Sequence, residues 1–157
     1  MFFIFVCCQI FIAWFYSHLL EYFLHKIMHD YKNFNFFFKH HFKGHHKIAR
    51  QNEMNDESYA NIFTRSSLFE MISLATGVLI HLPVAFFFPF AYITLLLCAG
   101  QYYWMHRKSH IDIEWGKRVM PWHYEHHMGK NQHKNWGVRS NIIDRIINSI
   151  KNKKEIA

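Results

Sequence analysis

Leu68-Phe-Glu-Met-Ile-Ser-Leu-Ala-Thr-Gly-Val-Leu-Ile-His81-Leu-Pro83-Val-Ala-Phe-Phe-Phe-Pro89-Phe-Ala-Tyr-Ile-Thr-Leu-Leu-Leu-Cys98-Ala-Gly-Gln-Tyr-Tyr-Trp104 is a run of 37 residues with one carboxylate, Glu70, and no lysine or arginine. One bilayer crossing needs about 20 apolar residues, so the run is too long for one span and fits two of ~18 each. The break is legible at His81-Leu82-Pro83, where polarity and a proline interrupt the apolar pattern. The run therefore reads as a helical hairpin that leaves and returns on one side. Pro89 reads as a kink in its second arm, which packed membrane helices tolerate. Ser67-Leu-Phe-Glu70 has the Ser-x-x-Glu form of a capping box and sets the expected start of the first arm.

Upstream, Met1 to Leu24 is almost uncharged until Glu21. A cleaved signal peptide would need a basic leader and a small-residue cleavage site, and this stretch has neither. It reads as a retained helix that spans from Phe2 to about Tyr22 and continues past the interface to His29. The expected fold class is thus all-α: an integral membrane protein of about three transmembrane helices under a histidine-rich cap. The whole chain, residues 1–157, is one domain by length.

Composition agrees. The chain is 51% hydrophobic and 19% aromatic, with 17 Phe, yet carries a formal charge of +7. Apolar residues pile into two blocks and charges collect outside them, as in a membrane protein with a basic face. Nucleic acid is not expected as a partner, because the sequence has no recognisable nucleic-acid-binding motif and the basic residues flank apolar spans. The hairpin puts residues 25–65 and 106–157 on one side, and both stretches are basic. The positive-inside rule makes that side cytoplasmic and the N-terminus lumenal or external. Cys7, Cys8 and Cys98 lie inside the apolar segments and read as lipid-facing or packed thiols. Phe34–Phe38 reads as an interfacial aromatic anchor. Tyr102, Tyr103, Trp104 and Trp122 read either as anchors or as the lining of a lipid path. Gln51–Asp56 reads as a loop, Asn141–Ile150 as an amphipathic helix, and the tail from Lys151 as solvated.

Two histidine clusters hang from the apolar blocks. His25, His29, His41, His45 and His46 follow the first, and His106, His110, His123, His126 and His127 follow the second. Spacings of four, as in His25/His29 and His106/His110, put two imidazoles on one helix face about a turn apart. Ten imidazoles exceed what one tetrahedral ion needs and fit two metal ions, each keeping a position open. Imidazole suits iron, zinc and copper alike, so the ligand type does not choose the metal. Glu21, one turn before His25, is the candidate for orienting a ligating ring through its other N–H, against the alternative of a plain surface carboxylate. His18 is either a pocket residue or a packed one. His81 belongs to the far turn, His40 is an alternate to His41, and His133 is a candidate outer partner.

Glu21-Tyr-Phe-Leu-His25-Lys-Ile-Met-His29, Gly44-His45-His46-Lys47, His106-x-x-x-His110, His123-x-x-His126-His127 and Asn135-Trp-Gly-Val-x-Ser-x-x-x-Asp144-Arg145 together resemble the fatty acid hydroxylase superfamily. That group includes sterol desaturases, sterol C4-methyl oxidases, fatty acid 2-hydroxylases and beta-carotene hydroxylases. The resemblance implies a membrane enzyme whose ten named histidines hold two iron ions, with zinc as an alternative occupant. It implies O2 as co-substrate, oxidation of unactivated C–H bonds in a lipid substrate, and residence in the endoplasmic reticulum if the source is eukaryotic. Two departures stand out: three residues separate His41 from His45 where many members have two, and Ile143 replaces the tryptophan before the closing Asp144. The chain is also shorter than larger members and carries no fused cytochrome b5 domain. A separate electron donor, of cytochrome b5 or reductase type, is therefore expected. Two other readings compete: a histidine-rich membrane metal-binding or transport protein without redox chemistry, and a catalytically inactive relative.

Overall fold

A computed structural model of the chain describes residues 1–30 and 35–156, with the side chains of 35 and 150–156 left aside. The described residues are helical and form no strand. Helix α1 covers Phe2–Met28 and is capped at His29. Next come α2 (Asn35–His40), a π-helical turn (His41–His46) and α3 (Lys47–Gln51), which run on as one helix with a wider middle. A 3₁₀ turn at Glu57–Tyr59 leads to α4 (Arg65–Ile80), α5 (Leu82–Phe87) and α6 (Pro89–Ile111). The chain closes with α7 (Ile113–Val119), α8 (Pro121–Met128) and α9 (Ile142–Ile156).

Helix α1 is built inside out by the standard of a water-soluble helix. Its buried positions include Gln9, Ala13, Ser17, Glu21 and His25, a strict four-residue stripe that is mostly polar. Its exposed positions are apolar, among them Phe2, Phe3, Ile4, Phe11, Ile12, Phe23 and Leu24. Of the described helices, α1 alone is long and apolar enough to cross a membrane. It runs alongside α6 in the same direction: Phe2 meets Phe90 edge-on and the Gln9 carboxamide accepts from the Ala91 N–H. Midway along α1 the Tyr16 hydroxyl meets His81 at 3.0 Å, and the His81 Nδ1–H donates to the Gly77 carbonyl at 2.7 Å. His81 thus pins the turn of the hairpin, as the sequence indicated.

The hairpin itself departs from expectation in three places. α4 has 16 residues, about 24 Å at 1.5 Å per residue. That is shorter than the ~30 Å hydrocarbon core, and α5 makes up part of the tip. Pro89 does not kink the second arm; it opens α6 after a non-helical Phe88, where its missing N–H costs nothing. The capping box is absent as well. The Thr64 hydroxyl accepts from the Ser67 N–H, so the helix starts earlier, Ser67 is buried inside it and Glu70 is free to reach elsewhere.

Two small apolar clusters hold the cap. Tyr22, Trp136 and Ile143 pack together, with Phe15, Leu19, Ile142 and Ile147 around them. Ile143, one of the two departures from the family pattern, thus fills an apolar socket. Met105, Met120 and Val138 form the other cluster, with Tyr102, Trp115 and Trp122 against it. Trp122 packs against this cluster, its indole N–H donating to the Val138 carbonyl at 3.0 Å. Tyr102 stacks on His106, while Trp104 stays exposed. The expected aromatic anchor begins at Phe34, outside the described residues, and Phe36 of that run packs edge-on against Phe69 of α4. The side chains of the C-terminal tail expected to be solvated also lie outside the described residues.

Candidate metal centre

The ten histidines converge and all are buried. α1 and its cap deliver His25 and His29, the π turn His41, His45 and His46, the end of α6 His106 and His110, and α8 His123, His126 and His127. They form two groups. His25, His29, His41, His46 and His126 offer nitrogens within 4.8 Å of one another, and so do His45, His106, His110 and His127. His123 adjoins the second group, its Nε2 3.4 Å from the His110 Nε2. His46 lies between the groups, its ring stacked 4.0 Å from that of His127.

The π turn accounts for the extra residue in the second histidine box. In an α-helix, residues five apart lie about 140° apart around the axis. The i→i+5 turn brings them to one face, and π turns are frequent at functional sites. Accordingly the His41 and His46 Nε2 atoms are 3.2 Å apart. His45 is turned to the other group, while His40 stacks on Phe69 away from both. His41→Ala is therefore expected to lower metal content and His40→Ala to leave it unchanged, as measured on purified protein by elemental analysis.

Hydrogen bonding fixes the tautomers. The Nδ1–H groups of His25, His110 and His126 donate to the carbonyls of Trp136, Met54 and Lys134 at 2.7, 2.9 and 2.6 Å. Those of His45 and His106 donate to the carboxylates of Asp56 and Glu70 at 3.0 and 2.9 Å, and that of His46 to the Gln132 carboxamide oxygen at 2.9 Å. Each neutral ring then presents a bare Nε2 inward, as metal-binding imidazoles do. Burial disfavours the charged form of several of these imidazoles. It pushes His46 down to about 3 and lowers His41, His45, His123, His126 and His127 as well.

This arrangement turns lone pairs toward one another with no protein donor to satisfy them. The Nε2 atoms of His46 and His126 face each other at 3.1 Å, yet neither carries a hydrogen to share. Two lone pairs at that distance repel unless an ion lies between them. Nitrogens each about 2.1 Å from one ion sit roughly 3.0–3.4 Å apart. The Nε2 atoms of His25, His45 and His106, and both nitrogens of His29 and His127, are likewise buried without a partner. The donor set therefore fits two metal ions.

The segment 134–139 holds the first group in place from one side. Its backbone reverses at Asn135, whose φ of 59° is a conformation asparagine tolerates. The Lys134 and Trp136 carbonyls thereby reach His126 and His25. Its N–H groups point the other way: the Asp144 carboxylate accepts from Trp136 and Gly137 at 2.8 and 2.9 Å. Glu21 accepts from the Val138 N–H, from the Arg139 N–H at 2.8 Å and from the Arg139 guanidinium at 2.7 Å. Glu21 is thus not the direct partner of an imidazole: its carboxylate is taken up by three donors of the C-terminal segment. His18 is a packed residue edge-on to Trp14. His133 is exposed, its ring near those of His29 and Phe42.

Sequence reading missed the true outer partners. Glu70 has a signal, as the one carboxylate of a 37-residue run, but it also completes a Ser-x-x-Glu pattern that points to helix capping instead. Asp56 and Gln132 had none, and a backbone carbonyl has no sequence signature at all.

No curated protein and no solved structure matches the chain. A family model described as "Fatty acid hydroxylase" matches residues 10–149, which takes in α1 from its third turn, the hairpin, every histidine of both groups and the Asn135–Asp144 segment. By that match and by the histidine geometry it encloses, the chain belongs to the fatty acid hydroxylase family.

Proposed function

We propose that the protein is a membrane-embedded, O2-dependent lipid oxidase that holds two iron ions on His25, His29, His41, His46 and His126 and on His45, His106, His110, His123 and His127. The facing bare nitrogens of His46 and His126 carry the metal reading, because neutral imidazoles do not otherwise hold that contact. When bound, an iron pair supplies O2 activation and abstraction of hydrogen from an unactivated C–H bond. The protein's own part is to fix the imidazoles, keep them neutral and exclude water. The balance is R–H + O2 + 2e⁻ + 2H⁺ → R–OH + H2O for hydroxylation. Desaturation needs the same two electrons and two protons and gives the alkene and two waters.

The inverted surface of α1 supports embedding, as do the exposed Phe86, Phe87, Ile93, Leu96 and Leu97 of α5 and α6. Such an area in water would be an aggregation site; in lipid it is solvated. We read α1 and the α4–α6 hairpin as three membrane segments, with the histidines at their cytoplasmic boundary and the endoplasmic reticulum as the residence in a eukaryote. The stoichiometry calls for an electron donor, and we propose a partner protein of cytochrome b5 or reductase type in that role. Lys43, Lys47 and Arg50 line an open groove that also includes Gln132, the partner of His46, and this is a surface suited to an acidic donor.

The test is elemental analysis of detergent-purified protein, followed by lipid profiling of cells that express it. About two irons per chain, with hydroxylated or desaturated lipids that vanish in a His126→Ala, His127→Ala variant, is the expected result. Folded protein without stoichiometric metal would sink the enzyme reading in favour of an inactive relative. Zinc alone, with unchanged lipids, would favour the metal-binding alternative.

A further inference from the structure

The two histidine groups differ in what stands behind them. In the second group, His45 is backed by Asp56 and His106 by Glu70, two carboxylates in direct hydrogen bonds. Asp56 is buried at 1% exposure and held by the Ser58 N–H and hydroxyl, so its carboxylate is a fixed feature of the site. In the first group the outer acceptors are neutral: the Trp136 and Lys134 carbonyls and the Gln132 carboxamide. Among the described residues, no carboxylate hydrogen-bonds an imidazole of the first group.

A divalent cation placed among buried neutral imidazoles carries its whole charge into a medium of low dielectric, and nearby fixed anions offset that cost. A carboxylate behind a ligating imidazole also raises the basicity of the ligand, and loss of such a partner typically lowers metal affinity by about 10–100-fold. From this asymmetry we infer that the two sites are unequal. The second group is the tight site, filled first and emptied last, with Glu70 and Asp56 as its positioning residues. The first group is the weaker, exchangeable site. The inference rests on the two-metal reading above, and it adds an order of loading that membership of the family does not supply.

The test uses the full chain in detergent, loaded with Zn²⁺ and dialysed against rising EDTA, with zinc per chain measured at each step. Wild-type protein is expected to lose its two zinc ions in two steps separated by at least 10-fold in EDTA. Glu70→Gln should move the later step down by about 10–100-fold and leave the earlier one in place. Gln132→Glu, which puts a carboxylate behind His46, should move the earlier step up. Opposite movements of separate steps are something a general loss of structure does not produce. A Glu70→Asp variant should restore part of the later step, and circular dichroism checks that each variant is folded. Loss of both ions in one step from the wild type, or a Glu70→Gln curve that overlays it, overturns the inequality while leaving two-metal binding intact. Folded wild-type protein that takes up no zinc sinks the metal reading and this inference with it.

Discussion

On the function proposed above, replacing His46 with alanine is expected to remove at least one of two metal ions and abolish lipid oxidation, the largest effect of any single substitution in the chain. His46 is the hinge between the groups. Its Nε2 lies 3.2 Å from that of His41 and 3.1 Å from that of His126, and its ring stacks on His127 of the second group. Alanine removes a proposed ligand outright, so the loss of affinity should exceed the roughly 10–100-fold that loss of an outer partner costs. It also leaves the Gln132 carboxamide without its partner and a void beside His127. Elemental analysis gives the direct readout: at most about half of the wild-type ions, in protein whose helical circular dichroism is retained. A variant that keeps full metal content would mean that His46 packs the site rather than ligates, and the facing lone pairs would need another explanation.

The second large effect falls on a residue that carries no chemistry. Gly137→Ala is expected to destabilise the cap by about 1–3 kcal/mol or more, the range for forcing extra atoms into a packed interior. A Cβ at this position would lie 2.0 Å from the Ser140 carbonyl oxygen and 3.2 Å from the Asp144 carboxylate. The first of these is backbone and has no rotamer by which to retreat, so the segment must move. Movement there withdraws the Trp136 carbonyl from His25 and loosens the Asp144 clamp. Metal content should therefore fall along with the melting temperature, although no ligand has been touched. Gly100→Ala is the control. Nothing lies within 4 Å of a Cβ there, and alanine in a helix interior should leave stability unchanged or raise it by up to ~1 kcal/mol. If both variants melted alike, the role given to the Asn135–Asp144 segment would be wrong.

The alternative of a transporter finds no support in the fold. A transport path calls for ionisable groups strung through the spans. Here His18 and Glu21 of α1 are tied to Ser140 and Arg139, Glu70 serves His106 and His81 pins the far turn. Each of these four ionisable groups thus has a local partner.

By itself the sequence determined which segments are helical and apolar, where the hairpin turns and which ten histidines gather. Composition, periodicity and spacing are local properties, and a four-residue spacing on a helix places two imidazoles together whatever surrounds them. The family motifs were legible for the same reason. What only the tertiary structure decided depends on contacts between distant parts of the chain. It sorted the histidines into two groups, absorbed the extra residue of the second box in a π turn, and turned His40 away from the site. It also moved Glu21 from the imidazoles to the Val138–Arg139 backbone, and gave His106 and His45 their carboxylates from 36 and 11 residues away. Half of the rings with a fixed tautomer donate to backbone carbonyls, which every residue possesses and no side-chain pattern can announce. For the Lys134 and Trp136 carbonyls that direction is set by the φ of Asn135 and by the carboxylates of Asp144 and Glu21, and so it exists only once the chain has folded.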